Sequence, residues 1–251
     1  MPKRCAILTD LTSLGSCSMT VMTSALELLG IEACPLPSVI ASVPARGFSD
    51  RFSHDQTDAF TGVLEHWIRM GFPLDGVISG RLASLPQVEA TASLLDANPQ
   101  ALCFCDPSVG EGAWKDEVWS AVLRMIAPRA FLFSPSEEEA RKILSLDGSS
   151  ESAWCDRLPG IHRLVTGMHG PDGWGVALDG QMLPTPRFPG AVPGAGDLYD
   201  AIIAALVLRG EDLSSAVKMT GTLVFLAVER TVQDRKWGVD VTSIRKELAA
   251  I

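Results

Sequence analysis

Basic clusters and long apolar runs are both missing from this sequence. Its 251 residues include 30 acidic against 21 basic side chains, which gives a formal net charge of −9, and no block of lysine and arginine occurs. Because a phosphate backbone is bound by a positive surface, we expect no nucleic-acid partner. No run of about 18 apolar residues is present, and the first residues lack the long apolar region and cleavage site of a signal peptide. We therefore expect no membrane partner and a cytoplasmic location.

Common metal-binding and nucleotide-binding signatures are also missing. The six cysteines form no C-x-x-C pair and the four histidines have no ligand spacing, so neither a zinc site nor a disulfide framework is predicted. No G-x-x-x-x-G-K-[ST] string occurs, which excludes a P-loop enzyme. A dinucleotide fingerprint needs a glycine three residues after Gly196, and that position is Tyr199.

The most informative feature that is present is a glycine-rich turn at residues 192–196, followed at once by a strongly apolar helix. The small residues Gly194, Ala195 and Gly196 allow backbone N–H groups to approach an anion closely, and a helix N-terminus adds roughly half a positive charge. Asp197 at the junction is suited to accept the proton of an attacking hydroxyl group. The pattern favours phosphoryl transfer; the alternative is an ordinary Pro-Gly turn capped by an aspartate.

The order of elements predicts an α/β fold. Apolar runs of strand length alternate with helical patterns, which indicates βα units and a mainly parallel, doubly wound sheet. Strands are predicted at 4–9, 75–78, 101–105, 130–133 and 161–166, with a hairpin of 173–178 and 181–186 around Asp179-Gly180. Helices are predicted at 17–29, 54–70, 85–96, 116–127, 195–209, 213–231 and 241–250. Residues 1–251 are expected to form a single domain that binds its ligand at the C-terminal ends of the strands.

Two segments are predicted from their prolines. Residues 31–42, interrupted by Pro35 and Pro37, are predicted to form a short extended pair. Ser134-Pro135-Ser136-Glu137 is predicted to open a helix that runs to residue 144, with a capping serine, a proline in the first turn and a capping-box glutamate.

Several segments, in the right order, resemble the ribokinase-like superfamily and most closely its pyridoxal/pyridoxamine (vitamin B6) kinase branch. The segment Gly194-Ala195-Gly196-Asp197-Leu198-Tyr199 resembles the Gly-Thr/Ala-Gly-Asp-Leu-Phe motif of that family. Further similar segments are Asp10 to Gly30, Leu36-Pro37-Ser38-Val39, Ser79-Gly80, Asp106-Pro107 with Gly110-Glu111, Ser134-Pro135 through Glu139, and Val165-Thr166-Gly167. The resemblance spans nearly the whole chain.

The resemblance implies a three-layer α/β/α fold and an ATP-dependent kinase that transfers the γ-phosphate to a hydroxymethyl group of a small B6-like heterocycle. It implies that Asp197 is the catalytic base and that the amides of Gly194, Ala195 and Gly196 form the anion hole. For ATP and Mg²⁺ it implies Asp106 and Glu139 near the metal, with Glu111, Ser136, Thr166 and Gly167 on the nucleotide side. For the acceptor it implies Asp10, Ser42, Ala45 and Arg81. Relatives of this kind are commonly homodimers.

Three positions depart from the family pattern. The asparagine of the family's Asn-x-x-Glu is Ser136, and the only asparagine of the chain is Asn98. The threonine that meets the pyridine ring is replaced in the stretch from Ser42 to Phe48, where Ala45 stands, and the aromatic residue expected after Ser79-Gly80 is Arg81. We expect an acceptor pocket that has diverged, in which Arg81 or Arg46 meets an anionic or strongly polar acceptor.

Two alternatives remain open on the sequence. One is a kinase for another acceptor, such as hydroxymethylpyrimidine or a sugar. The other is a non-catalytic protein that keeps the fold and the nucleotide site without turnover. The Gly-Ala-Gly-Asp segment argues against the second alternative, because a pure binding protein has no need for the base.

Overall fold

The computed structural model describes residues 2–108, 116–144, 152–170, 173–186, 192–231 and 234–251. The strands are β1 (Arg4–Thr12), β2 (Glu32–Ala41), β3 (Ser53–Asp55), β4 (Gly76–Ser79), β5 (Leu102–Cys105), β6 (Leu132–Phe133), β7 (His162–Gly170), β8 (Gly173–Leu178) and β9 (Gln181–Pro184). The α-helices are α1 (Met19–Leu28), α2 (Thr57–Met70), α3 (Leu85–Ala97), α4 (Asp116–Met125), α5 (Glu137–Leu144), α6 (Ala195–Leu208), α7 (Leu213–Arg230) and α8 (Arg245–Ala249). None of the described helices is long and apolar enough to cross a bilayer.

One sheet joins the nine described strands in the order β3-β2-β1-β4-β5-β6-β7-β8-β9. The pairs from β2 through β7 are parallel, while β3 at one edge and β8 and β9 at the other are antiparallel. The carboxyl ends of the central parallel strands therefore meet along one edge of the sheet. Ligands of open α/β sheets bind at that edge.

Helices cover both faces of the sheet, because the central strand is apolar on both sides. Along β1, Cys5 and Ile7 belong to the core shared with α1, α6 and α7, whereas Ala6 and Leu8 belong to the core shared with α2, α3, α4 and α5. All four side chains are fully buried, as expected for a parallel strand between two helical layers. The predicted three-layer α/β/α architecture is confirmed.

The predicted interruption of 31–42 is wrong, since β2 is one continuous strand. Pro35 pairs with Ile7 and Pro37 with Thr9 in the parallel ladder to β1. The other neighbour, β3, pairs only with residues 39–41, so β2 is an edge strand at both prolines. A missing N–H costs little at an open edge. The short strand β3 overlaps the start of the helix predicted at 54–70, and the helix α2 begins only at Thr57. Strand β3 forms because β2 leaves this edge unpaired.

Two predicted helix boundaries are also wrong. Helix α5 begins at Glu137, two residues later than predicted, because Ser134 continues the sheet by donating its N–H to the carbonyl of Cys105 at 3.0 Å. Glu137 pairs with Arg141 at 2.7 Å and does not cap the helix. The predicted helix at 241–250 is a 3-10 turn followed by the short α8. The hairpin of β8 and β9 has Asp179 and Gly180 at positive φ of 48° and 81°, as predicted for its turn.

Candidate active site

Two neighbouring cavities lie at the carboxyl edge of the sheet, and the N-terminus of α6 contributes residues to both. The larger cavity, of about 360 Å³, includes Ala195 and Gly196 in its lining. The smaller cavity, of about 220 Å³, includes Gly194 and Asp197. Glu139 lines both of them. The first turn of α6 is therefore a boundary between two ligand-sized spaces.

The bend before α6 requires glycine at residue 194. Its φ is +86°, and a Cβ at this position would stand 2.5 Å from the carbonyl oxygen of Ser16. Gly196, in contrast, is exposed, and a Cβ there would meet nothing within 4 Å. The Ala195 amide donates to the Val192 carbonyl at 3.2 Å, whereas the amides of Gly194 and Gly196 have no acceptor within the described ranges. Two of the three amides predicted for an anion hole are thus unpaired.

Asp197 is held at the smaller cavity by a backbone donor. Its Oδ2 accepts a hydrogen bond of 2.7 Å from the N–H of Ser18, which has an unusual positive φ of 49° at the start of α1. Burial raises the pKa of Asp197 to about 6, the Ser18 bond opposes this shift, and the charge of Asp10 adds to it. At neutral pH the carboxylate is mostly ionised and is a stronger base than an ordinary aspartate.

A second group of carboxyl side chains lines the larger cavity. Asp106, after β5, accepts from the N–H of Ser108 at 2.9 Å, and Asp200 accepts from the Ser134 hydroxyl at 2.8 Å. Burial, followed by the charges of Asp200 and Glu139, raises the pKa of Asp106 well above its ordinary value. Burial also raises the pKa of Asp200, to about 8. Among the described residues that line this cavity there are three acidic side chains, including Glu139, and no lysine or arginine.

Asp200 was missed at the sequence level. It follows Asp197 by three residues, so both lie on one side of α6. The signal in the sequence was an acidic residue within a strongly apolar helical segment, and the structure buries all nine residues from Leu198 to Leu206. A buried acid in an apolar helix needs a polar partner or a ligand, and that requirement points to the cavity.

Ser136 and Glu139 form a capping box at the start of α5. Glu139 Oε2 accepts from the N–H of Ser136 at 2.8 Å and from its hydroxyl at 2.7 Å, and the Ser136 hydroxyl accepts from the N–H of Glu139 at 3.3 Å. The serine that replaces the family's asparagine therefore fixes the position of Glu139.

The remaining wall of the larger cavity comes from the strands at the far edge of the sheet. Thr166 and Gly167 of β7 are part of it, and the Thr166 amide donates to the carbonyl of Pro135 at 3.0 Å. The sequence did not point to the other contributors, which are Gly175 and Val176 of β8, Thr185 and Pro186 after β9, and Tyr199 of α6.

The smaller cavity contains three of the four residues predicted for the acceptor: Asp10, Ala45 and Arg81, together with Arg46. Ser42 is in the lining of neither cavity; its hydroxyl accepts from the N–H of Phe52 at 3.0 Å and so ties two backbone segments together. Glu111, predicted on the nucleotide side, lies outside the described residues.

Solved structures that are similar to this one include small-molecule kinases. Pyridoxal kinase from Lactobacillus plantarum is 22% identical, with 99% of this chain and 97% of that chain covered and a TM-score of 0.90. A putative phosphomethylpyrimidine kinase from Bacteroides thetaiotaomicron is 20% identical, with coverages of 98% and 94% and a TM-score of 0.88. Pyridoxal kinase from Leishmania donovani, in complex with ADP and pyridoxamine, is 18% identical, with coverages of 98% and 95% and a TM-score of 0.82. The chain therefore has the same fold as these proteins.

Sequence similarity identifies the family. Pyridoxal kinase PdxY of Burkholderia lata is 30% identical over 200 residues, which are 70% of this chain and 69% of the relative. Pyridoxal kinase PdxY of Burkholderia orbicola is 28% identical over 199 residues, with coverages of 70% and 69%. No protein-family profile matches the sequence. The chain belongs to the pyridoxal kinase family.

Proposed function

We propose that this protein is an ATP-dependent kinase that transfers the γ-phosphate to a hydroxymethyl group of a B6-like heterocycle. The observation that carries the proposal is the first turn of α6, which presents Gly196 to one cavity and Asp197 to the next. A phosphate at this turn would have the nucleotide on one side and the acceptor hydroxyl on the other. Phosphoryl transfer needs mainly this alignment and charge neutralisation.

The larger cavity is proposed as the ATP site. It includes Gly196 at the exposed start of α6, and the amide of Gly196 has no acceptor within the described ranges. Amides at a helix N-terminus are groups that bind phosphate in proteins. Apolar side chains such as Val176 and Pro186 line the same cavity and suit the flat face of a base. The ADP found in the Leishmania donovani structure supports the proposal.

Asp197 is proposed as the catalytic base. Its half-buried carboxylate lines the smaller cavity, which is proposed as the acceptor site, and the Ser18 amide fixes one oxygen at 2.7 Å. With a pKa of about 6, Asp197 is mostly ionised at neutral pH and binds a proton more tightly than an ordinary aspartate does. A positioned base of this kind contributes about 10² to 10⁴ in rate.

Asp106 and Glu139 are proposed to hold Mg²⁺, and Asp200 is proposed to add to the negative electrostatic potential around it. The raised pKa values of Asp106 and Asp200 support a cation at this place, because a bound cation would stabilise the ionised form of both carboxyl groups. In the part of the chain described, no three side chains are arranged to hold a metal by themselves. Mg²⁺ is typically bound by one or two carboxylates together with substrate phosphates, where it neutralises the charge of the transferring group. A homodimer and a cytoplasmic location remain part of the proposal.

The test is ADP release from Mg-ATP with pyridoxal, pyridoxine, pyridoxamine, hydroxymethylpyrimidine and simple sugars as separate acceptors. We expect turnover with at least one hydroxymethyl heterocycle and none with the sugars. Turnover with a sugar alone would indicate another kinase. ATP binding without turnover on any acceptor would indicate the non-catalytic alternative.

A further inference from the structure

We propose that Arg81 binds an oxyanion, a carboxylate or a phosphate, carried by the acceptor ring, so that the preferred acceptor is an anionic hydroxymethyl heterocycle. This inference rests on the proposed function and specifies the class of its substrate.

The first argument is that the Arg81 guanidinium is half-buried in the smaller cavity and that no described residue pairs with it. Within the described ranges it makes no hydrogen bond and no ion pair, although it lines the same cavity as Asp197. Burial lowers its pKa, the charge of Asp10 opposes this shift, and the charge of Arg51 adds to it. A guanidinium does not lose its proton in a protein, so it remains a partly desolvated charge. Such a charge is costly unless something pairs with it.

The second argument concerns Asp10, the acid whose charge acts on that of Arg81. Its Oδ2 lies 3.5 Å from Nη2 of Arg51, whose Nε in turn donates to the carbonyl of Val43 at 2.9 Å. Arg51 therefore already neutralises Asp10. Asp10 and the two arginines whose charges it meets, Arg51 and Arg81, together carry one positive charge in excess.

The third argument is that the backbone of Arg81 is fixed while its side chain is not. The Arg81 amide donates to Thr9 Oγ1 at 3.2 Å, and its carbonyl accepts from the Ser38 hydroxyl at 2.5 Å. Strands β1 and β2 thus hold the backbone of this residue, which follows the end of β4. A planar guanidinium on a fixed backbone can bind a carboxylate or a phosphate through two parallel hydrogen bonds.

The experiment compares three acceptors that all carry a free hydroxymethyl group. Pyridoxal is neutral at its ring substituent, 4-pyridoxate carries a carboxylate in place of the aldehyde, and pyridoxine 5′-phosphate carries a phosphate. Steady-state kcat/KM is measured with Mg-ATP for the native protein, for Arg81→Gln and for the control Arg69→Gln, which removes an exposed arginine at the end of α2.

We expect the native protein to prefer one of the two anions over pyridoxal by about 10- to 100-fold, the range expected of one charge-assisted bidentate contact. Arg81→Gln should reduce that preference to near unity, mainly through KM of the acceptor, with KM of ATP unchanged. Arg69→Gln should preserve it. Preference for the carboxylate or for the phosphate identifies which oxyanion is bound. A native preference for pyridoxal, or an anion preference that survives Arg81→Gln, would overturn the inference.

Equilibrium binding separates this inference from the proposed function. Calorimetry with 4-pyridoxate and pyridoxine 5′-phosphate, in the presence of a non-hydrolysable ATP analogue, measures oxyanion binding without turnover. If no acceptor is phosphorylated but an anion binds in an Arg81-dependent way, the kinase proposal fails and the inference holds. If pyridoxal is phosphorylated and neither anion binds more tightly than pyridoxal, the inference fails and the kinase proposal holds.

Discussion

Replacing Asp197 with asparagine should abolish most of the activity and yet stabilise the fold. Asparagine keeps a side-chain oxygen that can accept the 2.7 Å bond from the Ser18 amide, but it cannot take a proton from the acceptor. We expect turnover to fall by at least about 10², with the affinity for ATP nearly unchanged, as for the loss of a base that acts only in the chemical step.

The magnitude of the stabilisation follows from the raised pKa of Asp197. A shift from 3.8 to about 6 corresponds to at most about 3 kcal/mol of unfavourable free energy for the ionised folded state. Between these two values the folded protein binds more protons than the unfolded chain, so the contribution of Asp197 to stability falls as the pH rises through this window and is least favourable above about 6. The uncharged variant is spared this cost. Its Tm at pH 7 should rise by up to about 6 to 12 °C, and the gain should vanish below about pH 4.

The assay pairs thermal unfolding between pH 4 and 8 with ADP release at saturating Mg-ATP. Asp212→Asn serves as the matched control, because Asp212 also lies at a helix N-terminus and accepts from the amide of Ser215. Asp212 is exposed, however, and hydrogen bonds from the side chain and then the amide of Ser215 lower its pKa. The control should gain no stability and lose no activity. An Asp197→Asn protein that unfolds at a lower temperature than the native protein at pH 7, or that turns over at a near-normal rate, would refute the reasoning.

Three further predictions concern the same region. A pH–rate profile should show kcat/KM declining as the pH falls below about 6, because Asp197 becomes protonated there. A decline that begins only near pH 4 would contradict the raised pKa. Gly194→Ala should lower the free energy of unfolding by about 2 kcal/mol or more, because φ at this residue is +86° and the added methyl group would meet backbone atoms. Gly196→Ala should leave Tm within about 2 °C and raise KM for ATP. Equal effects of the two variants in thermal unfolding would contradict the geometry of the bend. Ser136→Ala should cost about 1 kcal/mol and raise KM for Mg-ATP by releasing Glu139, and an unchanged KM in a Mg²⁺ titration would argue against that positioning role.

The features that the sequence could predict are those encoded by neighbouring residues. The turn before α6 requires small residues in consecutive positions, and the alternation of apolar runs predicts a parallel sheet between helices. The site lies at the carboxyl edge of that sheet because parallel strands end together. The family resemblance assigned Asp106 and Glu139 to one region of it, and both line the larger cavity. The family resemblance added the roles of these residues.

The features that the sequence could not predict depend on contacts between distant segments. Pro35 and Pro37 fit within β2 only because the partner strand β3 is short, which no local pattern encodes. Ser42 lies close in sequence to Ala45, but the backbone of Phe52 engages its hydroxyl. The far wall of the larger cavity comes from the β8–β9 hairpin. The sequence of this hairpin predicts its turn but does not predict that its strands lie against the cavity.

The most direct test of the kinase assignment is to follow the phosphoryl group itself. ATP labelled at the γ-phosphate is incubated with Mg²⁺, the protein and each hydroxymethyl heterocycle, and the products are separated. The account predicts that the label appears on the hydroxymethyl oxygen of at least one acceptor, and that Asp197→Asn reduces this product by at least about 10². Label found only in unreacted ATP or inorganic phosphate, with ATP bound and every acceptor saturating, would contradict it.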